Sequence, residues 1–168
     1  MTVISGRSFG ANAIFSRPDD TTAYGAGDII GTAKAAGGGI TTLVAAGPSG
    51  VDGLMINSST LLIGASAVPG GMTTLFLHLY KSSPPSVLQD GDTWDLPSGD
   101  RSAYLGALAL GTPADVGASL FVAVDNIGKE VFMGGNTGGA LYAYLVTTAG
   151  FTPAALTEFR VGVNGYGF

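Results

Sequence analysis

His78 is the only histidine of the chain and the first residue whose chemistry could serve catalysis. It lies in the segment Leu-Phe-Leu-His-Leu-Tyr, residues 75–80, where the two-residue period of a strand places Phe76, His78 and Tyr80 on one face. A histidine that acts as a general base needs an orienting acid and a nearby nucleophile, and the sequence contains no nucleophile-elbow motif. We therefore interpret His78 as a sheet residue packed between aromatics, and predict that Phe76, His78 and Tyr80 form a contact face for a partner.

Three carboxylates alternate in the segment Asp-Gly-Asp-Thr-Trp-Asp, which contains Asp90, Asp92 and Asp95. Alternating carboxylates in a loop with glycine can bind Ca²⁺. The further ligands and the terminal Glu of an EF-hand loop are missing, however. We favour a solvated turn in which the Asp side chains cap backbone amides, and the sequence leaves open whether this loop binds a cation.

Other reactive arrangements are weak or absent. The glycine-rich segments 47–53 and 134–139 lack the Gly-Lys-Ser/Thr ending of a phosphate-binding loop, so we interpret them as hairpin turns. The absence of cysteine excludes thiol catalysis, disulfides and cysteine-based zinc sites. No spacing selects a glycosidase pair of carboxylates, although Trp94 and Tyr104 could stack on a sugar. We expect no enzymatic activity and no cofactor, and keep a carbohydrate-binding module as an alternative.

Charge is scarce and unevenly distributed. Asp, Glu, Lys and Arg make up 19 of the 168 residues, and the segments 53–80 and 131–157 contain none of them. The seven basic residues are never adjacent, which argues against binding to exposed nucleic acid. The most apolar window, 61–80, contains Pro-Gly-Gly and would not form a membrane helix, and 1–10 has no apolar segment typical of a secretory signal.

The acidic residues themselves predict the fold class. Ten are Asp, which favours turns and caps, and only two are Glu, which together with Lys fills exposed helix faces. We predict an all-β fold, a two-sheet sandwich or a jelly-roll or barrel of eight to ten short antiparallel strands. The predicted strands are 28–33, 40–46, 54–67 (one or two strands), 72–81, 103–110, 119–124, 129–133, 140–148 and 156–163. Segments 119–124 and 129–133 read as a hairpin, and 82–99 as a long loop.

We expect a single β domain over residues 25–168. Residues 1–24 are interpreted either as an irregular arm that orders on a partner or as a first strand at Val3-Ile4 followed by loop. Arg7, Phe9 and Phe15 are the contact residues predicted for this segment. Strands 54–67 and 140–148 are apolar or small on both faces, so a second subunit or a loop must cover the side that the core does not.

Several short phrases carry a family resemblance across positions 17–110. They are Arg17-Pro18, Thr-Thr-Ala-Tyr-Gly-Ala-Gly-Asp at 21–28, Leu-Phe-Leu-His-Leu-Tyr at 75–80, Pro84-Pro85-Ser86 with Asp90, and Asp-Arg-Ser-Ala-Tyr-Leu-Gly at 100–106. Together they resemble small virion-associated structural proteins of tailed bacteriophages. The resemblance identifies no functional residues.

The resemblance implies a capsid decoration or cement protein. Such a protein would be located in the virion after assembly in the host cytoplasm, and would form a homo-oligomer, with a trimer favoured, on the major capsid protein or other virion proteins. A tail or head-fibre-base structural protein is the nearest alternative. Partners from the nucleic-acid or membrane classes are not expected.

Overall fold

The computed structural model describes residues 7–31, 41–44, 51–134 and 140–168. Within these ranges the chain forms eleven strands, two of which have only two residues. The strands are β1 (Arg7–Ser16), β2 (Ile29–Ile30), β3 (Thr41–Val44), β4 (Gly53–Ile63), β5 (Leu75–Tyr80), β6 (Tyr104–Ala109), β7 (Ala114–Asp115), β8 (Leu120–Val124), β9 (Lys129–Phe132), β10 (Ala140–Thr147) and β11 (Glu158–Gly167). The described ranges hold no helix that is long and apolar enough to cross a membrane.

The strands form two antiparallel sheets, which confirms the predicted all-β, two-sheet fold. The larger sheet has six strands in the order β1-β11-β4-β8-β7, and β9 also pairs with β4. The smaller sheet has five strands in the order β2-β10-β5-β6, and β3 also pairs with β10. The inward side chains of both sheets form one large hydrophobic core between them.

Alternation along the strands decides which side chains enter this core. In β5, Leu75, Leu77 and Leu79 are buried in it, as the period of two predicts. In β11, Phe159, Val161 and Val163 do the same from the opposite sheet. Each fully buried side chain of this size contributes about 1.5–3 kcal/mol relative to an exposed one, so the alternation fixes the register of both sheets.

The N-terminal segment differs from the expected irregular arm. Residues Arg7–Ser16 form β1, which pairs with β11 over ten residues, from Arg7 opposite Gly167 to Ser16 opposite Glu158. The strand lies where the alternative interpretation expected a loop, and Val3-Ile4, the first strand of that alternative, lies outside the described residues. The physical reason is an alternation of Phe and Ala that small and polar residues conceal in the sequence: Phe9, Ala11, Ala13 and Phe15 are all buried.

The predicted hairpin between β8 and β9 is wrong. Both strands run antiparallel to β4, β8 along its second half and β9 along its first, so they lie end to end instead of side by side. Residues 125–128 interrupt the pairing with β4 and have positive φ at Asn126 and Gly128, while Ile127 packs against the main core. The Ile127 amide donates to the Asn57 carbonyl at 2.9 Å, which keeps this segment attached to β4. Turn-forming residues favour positive φ in a bulge as they do in a hairpin.

A buried arginine fixes the turn that follows β1. Arg17 is 2% exposed, and its Nη2 donates to Asp20 Oδ1 at 2.8 Å and to the Thr22 carbonyl. Its Nε donates to the Asp20 carbonyl at 3.2 Å, and its guanidinium lies 4.8 Å from the centre of the Tyr24 ring. A charge this deeply buried requires such partners, and through them Arg17 holds residues 17–24 in one compact turn.

Candidate functional site

The predicted contact face of β5 lies on the outward side of the smaller sheet. Phe76 and His78 are half-buried there, while Tyr80 is fully buried. Across the sheet, His78 pairs with Tyr144 of β10 and with Ala107 of β6. The strand therefore presents the three side chains as the sequence predicted, and their burial shows that something already covers them.

The cover is the chain's own long loop, residues 81–103. The Trp94 ring lies with its centre 3.8 Å from that of His78, and Trp94 Nε1 donates to the Tyr80 hydroxyl at 3.2 Å. Leu88 and Leu96 pack against the same aromatic cluster. The smaller sheet is apolar on both faces, and its outward face is covered mainly by this loop of the same chain. A partner could therefore contact only the edges of that face.

Backbone contacts hold the loop in this position. The Tyr144 hydroxyl donates to the Ser86 carbonyl at 3.1 Å and accepts from the Leu88 amide at 3.3 Å. The buried carboxylate of Asp100 accepts from the Ser86 amide at 3.2 Å and from the Ser86 hydroxyl. These contacts join the first part of the loop to β10 and the two ends of the loop to each other, so the cover is a fixed part of the fold.

The surroundings of His78 do not match those of a catalytic base. Its Nδ1 lies 3.0 Å from the Tyr104 hydroxyl, and its ring contacts are with Phe76, Trp94 and Tyr104. Burial lowers the pKa of His78 to about 4, so the ring is neutral at pH 7. In the described part of the chain, its recorded contacts include no carboxylate that would orient it. The geometry agrees with a histidine packed between aromatics.

Trp94 and Tyr104 belong to the aromatic cluster around His78. Their ring centres lie 5.9 Å apart, and each also contacts His78, so the rings stack mainly on one another. A sugar would need a free aromatic face, and one face of Trp94 is already occupied. The arrangement therefore favours a packing role for the single tryptophan.

Two of the alternating carboxylates bond within their own loop, and the third, Asp90, joins the loop to residues 24 and 31. Asp90 Oδ1 accepts from the Tyr24 hydroxyl at 2.6 Å and from the Gly31 amide at 2.9 Å. Asp92 accepts from the Gln89 amide at 2.7 Å, and Asp95 from the Leu96 amide at 2.7 Å. These contacts confirm that the Asp side chains cap backbone amides. In the ranges that the structure describes, no group of three acidic or histidine side chains is arranged to hold a metal ion.

Asp90 forms one wall of an acidic cleft of about 420 Å³. Asp20, Asp28 and Asp92 also line it, together with Tyr24. Burial raises the pKa of Asp90, and the hydrogen bond from Tyr24 opposes that rise. Burial, followed by the hydrogen bond to Asp90, raises the pKa of Tyr24 far above its usual value. The Tyr24 hydroxyl is therefore the donor and the Asp90 carboxylate the acceptor of a structural hydrogen bond between residues that lie 66 positions apart in the sequence.

The predicted contact residues of the N-terminal segment separate in the structure. Phe9 and Phe15 are buried in the main core, whereas Arg7 is exposed at the start of β1. The two phenylalanines pack within this chain and are not available to a partner. Their spacing, with Ala11 and Ala13 between them, is the pattern in the sequence that could have identified them as core.

The structure reveals a different exposed surface, on the outer side of the six-stranded sheet. We call it the open face and define it as the outward side chains of β1, β11, β4, β8 and β9, with Phe168 after β11. One cross-strand row contains Ile14, Arg160, Leu62 and Phe121 in successive strands. Ile14, Leu62 and Phe121 are 46%, 38% and 40% exposed. An apolar row of this kind is uncommon on the water-facing side of an antiparallel sheet.

A second exposed cluster lies at the other end of the open face. Phe132 and Phe168 meet edge to face with ring centres 6.2 Å apart, and Phe168 hydrogen-bonds through its backbone to Gly53. The missing side chain of Gly53 leaves the space that the Phe168 ring fills, since a Cβ there would lie 2.6 Å from that ring. Tyr166 is exposed next to them and accepts a hydrogen bond from Asn57.

The open face collects most of the exposed apolar side chains. Among the described residues ten large hydrophobic side chains are exposed, and six of them lie on this face. They are Ile14, Leu62, Phe121, Phe132, Tyr166 and Phe168. The predicted strands do not reveal the open face, because they do not include β1 and because the last of them ends at residue 163, four residues before β11 ends. The outward positions of neighbouring strands therefore cannot be aligned from the sequence.

Comparison with known proteins identifies no family for this chain. No family model matches the chain, and no curated protein matches it. Among solved structures, it is similar to the structure of tomato aspermy virus determined by X-ray crystallography, with 8% sequence identity and a TM-score of 0.28. The match covers 98% of this chain and 79% of the viral chain. A TM-score of that size does not establish a shared fold.

Proposed function

We propose that the chain is a structural virion protein of a tailed phage, a capsid decoration or cement protein that binds the head shell as a homo-oligomer. The observation that carries this proposal is the open face, where six exposed apolar side chains lie on one sheet of a chain with little charge. Exposed apolar side chains that collect on one face are typical of proteins that bind other proteins. The resemblance over positions 17–110 supports the two more specific parts of the proposal, namely a tailed phage as the source and the capsid as the binding partner.

The internal use of the reactive side chains supports a role without catalysis. His78 is packed between Trp94 and Tyr104, and Asp90, Asp92 and Asp95 cap the loop that covers the smaller sheet. These groups therefore serve the rigidity of the fold. A rigid subunit loses little conformational entropy on binding, and a lattice of many copies gains affinity through multivalent contact.

Co-sedimentation tests the proposal. Purified chain is mixed with heads of the encoding phage that lack it, the heads are pelleted, and the bound chain is quantified against a head from an unrelated phage. We expect saturable binding at a fixed number of copies per head, together with a higher temperature of head disruption. An oligomeric chain that stays in the supernatant at every concentration would overturn the proposal.

Electron microscopy of the intact particle distinguishes the nearest alternative. Density for the chain on the shell surface supports a decoration protein, whereas density at the tail or at the base of a head fibre supports the alternative structural role. Binding to a glycan array would instead support a carbohydrate-binding module. The stacking of Trp94 against His78 argues against that third outcome.

A further inference from the structure

We infer that a second copy of this chain covers the open face, so that two larger sheets pack against each other. The inference rests on the proposed function in one respect: a subunit of an assembly needs a surface that binds its neighbour. Both use the open face, but the inference concerns contact between copies, so it is tested without a shell.

The size of the open face suits such a contact. Ten-residue strands with a rise of about 3.4 Å per residue span roughly 34 Å, and four strand positions about 4.8 Å apart span roughly 19 Å. The planar area is therefore roughly 650 Å², which the protruding side chains enlarge. A stable interface buries about 800 Å² on each partner. The open face thus supplies about the area that one partner contributes.

Charge favours an identical partner over one of opposite charge. The outward positions of the strands carry three charged side chains: Arg160 and Glu158, which pair at 2.7 Å, and Glu130. A surface that is nearly neutral can meet its own copy without accumulating like charges. A basic partner would instead be attracted elsewhere, since the chain as a whole has a net charge of −5.

A shallow groove of about 350 Å³ lies in the open face. The exposed side chains of Ile14, Leu62 and Phe121 line it together with Arg160. A Cβ at Gly162 would lie 2.6 Å from Thr60 Oγ1 and 3.2 Å from Asn12 Oδ1, so the side chains of Thr60 and Asn12 occupy the space beside Gly162. In a two-fold pair, apolar side chains of each copy would enter the groove of the other, at the spacing of about 10 Å that is usual for packed sheets.

The experiment measures the mass of the chain in solution by sedimentation equilibrium, for the wild type and for matched lysine variants. Leu62→Lys places a charge in the apolar row of the open face, and Val87→Lys places the same charge at a side chain 59% exposed in the loop 81–103. We expect the wild type to associate at micromolar concentration and Val87→Lys to behave like it. Leu62→Lys should raise the dissociation constant at least about 30-fold, the effect of losing a contact residue that dominates the binding energy.

Folding is checked for each variant by circular dichroism and thermal melting. Phe121→Lys, on a different strand, replaces Leu62→Lys if the latter does not fold. A third measurement needs no charge variant: because the chain has no cysteine, Thr60→Cys and Val87→Cys each introduce a single reactive thiol. We expect maleimide labelling of Thr60→Cys to be slow in the associated chain and fast after dilution, whereas Val87→Cys reacts fast throughout.

The outcomes separate the inference from the proposed function. A monomeric wild type, a folded Leu62→Lys or Phe121→Lys that keeps the wild-type mass, or equally fast labelling of both thiols would overturn the inference. If the chain associates through the open face but does not bind heads, the proposed function fails and the inference stands. If it binds heads as an oligomer that Leu62→Lys does not alter, the reverse holds.

Discussion

His78 shows how burial sets the ionisation of a side chain that is packed between aromatic rings. In the unfolded chain its pKa is about 6.5, and in the folded protein burial lowers the pKa to about 4. Above pH 6.5 the ring is neutral in both states. As the pH falls from 6.5 towards 4, the unfolded state takes up a proton that the folded state does not, so the free energy of unfolding decreases.

The first prediction compares the wild type with His78→Gln in urea unfolding at pH 7 and pH 4.5. Carboxylates titrate in both proteins, so the difference between the two losses isolates His78. We expect the wild type to lose about 2 kcal/mol more than the variant over this interval, with allowance for the partial exposure of the ring. Equal losses in the two proteins would contradict the lowered pKa.

The second prediction concerns Asp90, whose Oδ1 accepts hydrogen bonds from both the Tyr24 hydroxyl and the Gly31 amide. Asp90→Ala leaves two donors without their partner, one of them on a largely buried tyrosine, and we expect a loss of about 2 kcal/mol in the free energy of unfolding. The control is Asp95→Ala, which removes one exposed contact to the Leu96 amide and should cost less than about 1 kcal/mol. Chemical denaturation of the two variants measures both, and similar losses would argue against a structural role for Asp90.

At the scale of the elements, the junction of β11 with β4 contains an irregularity that depends on glycine. The register shifts between Asn164 and Gly165, and a Cβ at Gly165 would lie 1.9 Å from the Met55 carbonyl oxygen. No side chain can be accommodated so close to backbone, so one of the two central strands would have to move. The bulge is therefore a fixed requirement of this sheet.

The third prediction is that Gly165→Ala lowers the free energy of unfolding by more than about 2 kcal/mol, because backbone atoms must shift to admit the methyl group. Gly70→Ala is the matched control, since nothing lies within 4 Å of its added Cβ. We expect that change to alter the free energy by less than about 0.5 kcal/mol. Thermal melting ranks the two variants, and a Gly165→Ala melting temperature equal to that of Gly70→Ala would contradict the close approach.

Elements with strong alternation could be predicted from the sequence, and those defined by long-range pairing could not. Leu75, Leu77 and Leu79 identify β5 and its inward face from spacing alone. The strand β1 could not be predicted because its inward residues Ala11 and Ala13 are too small to indicate a hydrophobic face. The end-to-end placement of β8 and β9 depends on β4, about 70 residues away, and a turn such as Asp125-Asn126-Ile127-Gly128 does not encode whether the chain reverses or continues.

The candidate site, too, could be predicted from the sequence only in part. Spacing alone indicates that Phe76, His78 and Tyr80 share a face, but it does not indicate which segment covers that face. The cover depends on the position of Trp94, which the tertiary contacts of the loop 81–103 decide. The open face depends on the register of four strands at once, so no single segment of the sequence could reveal it.

At the scale of the whole molecule, the chain is closed by its first and last described strands. β1 pairs only with β11 among the described strands, and together they contribute Phe9, Phe15 and Phe159 to the core. Each such side chain is worth about 3–5 kcal/mol on truncation, which is comparable to the whole stability of a domain. The two-sheet fold therefore depends on a pairing that joins opposite ends of the sequence.

The fourth prediction is that a chain lacking residues 1–16 shows no cooperative unfolding transition in urea, because β11 loses its neighbour and the core loses two phenylalanines. Addition of a synthetic peptide of residues 7–16 should restore the transition in a concentration-dependent way. The control peptide carries Ser in place of Phe9 and Phe15 and should not restore it. A wild-type transition in the truncated chain would show that the segment is an accessory arm.

The pairing of β1 with β11 also sets the order of events during biosynthesis. Arg7 must find Gly167, and about 150 residues of chain separate the two strands when β1 leaves the ribosome. At a synthesis rate of about 5–20 residues per second, β1 waits roughly 10–30 seconds for its neighbour. Its alternate phenylalanines are exposed during that interval. The larger sheet can therefore close only after β11 has been made, so among the described strands of this sheet β1 stays accessible to a chaperone for the longest time.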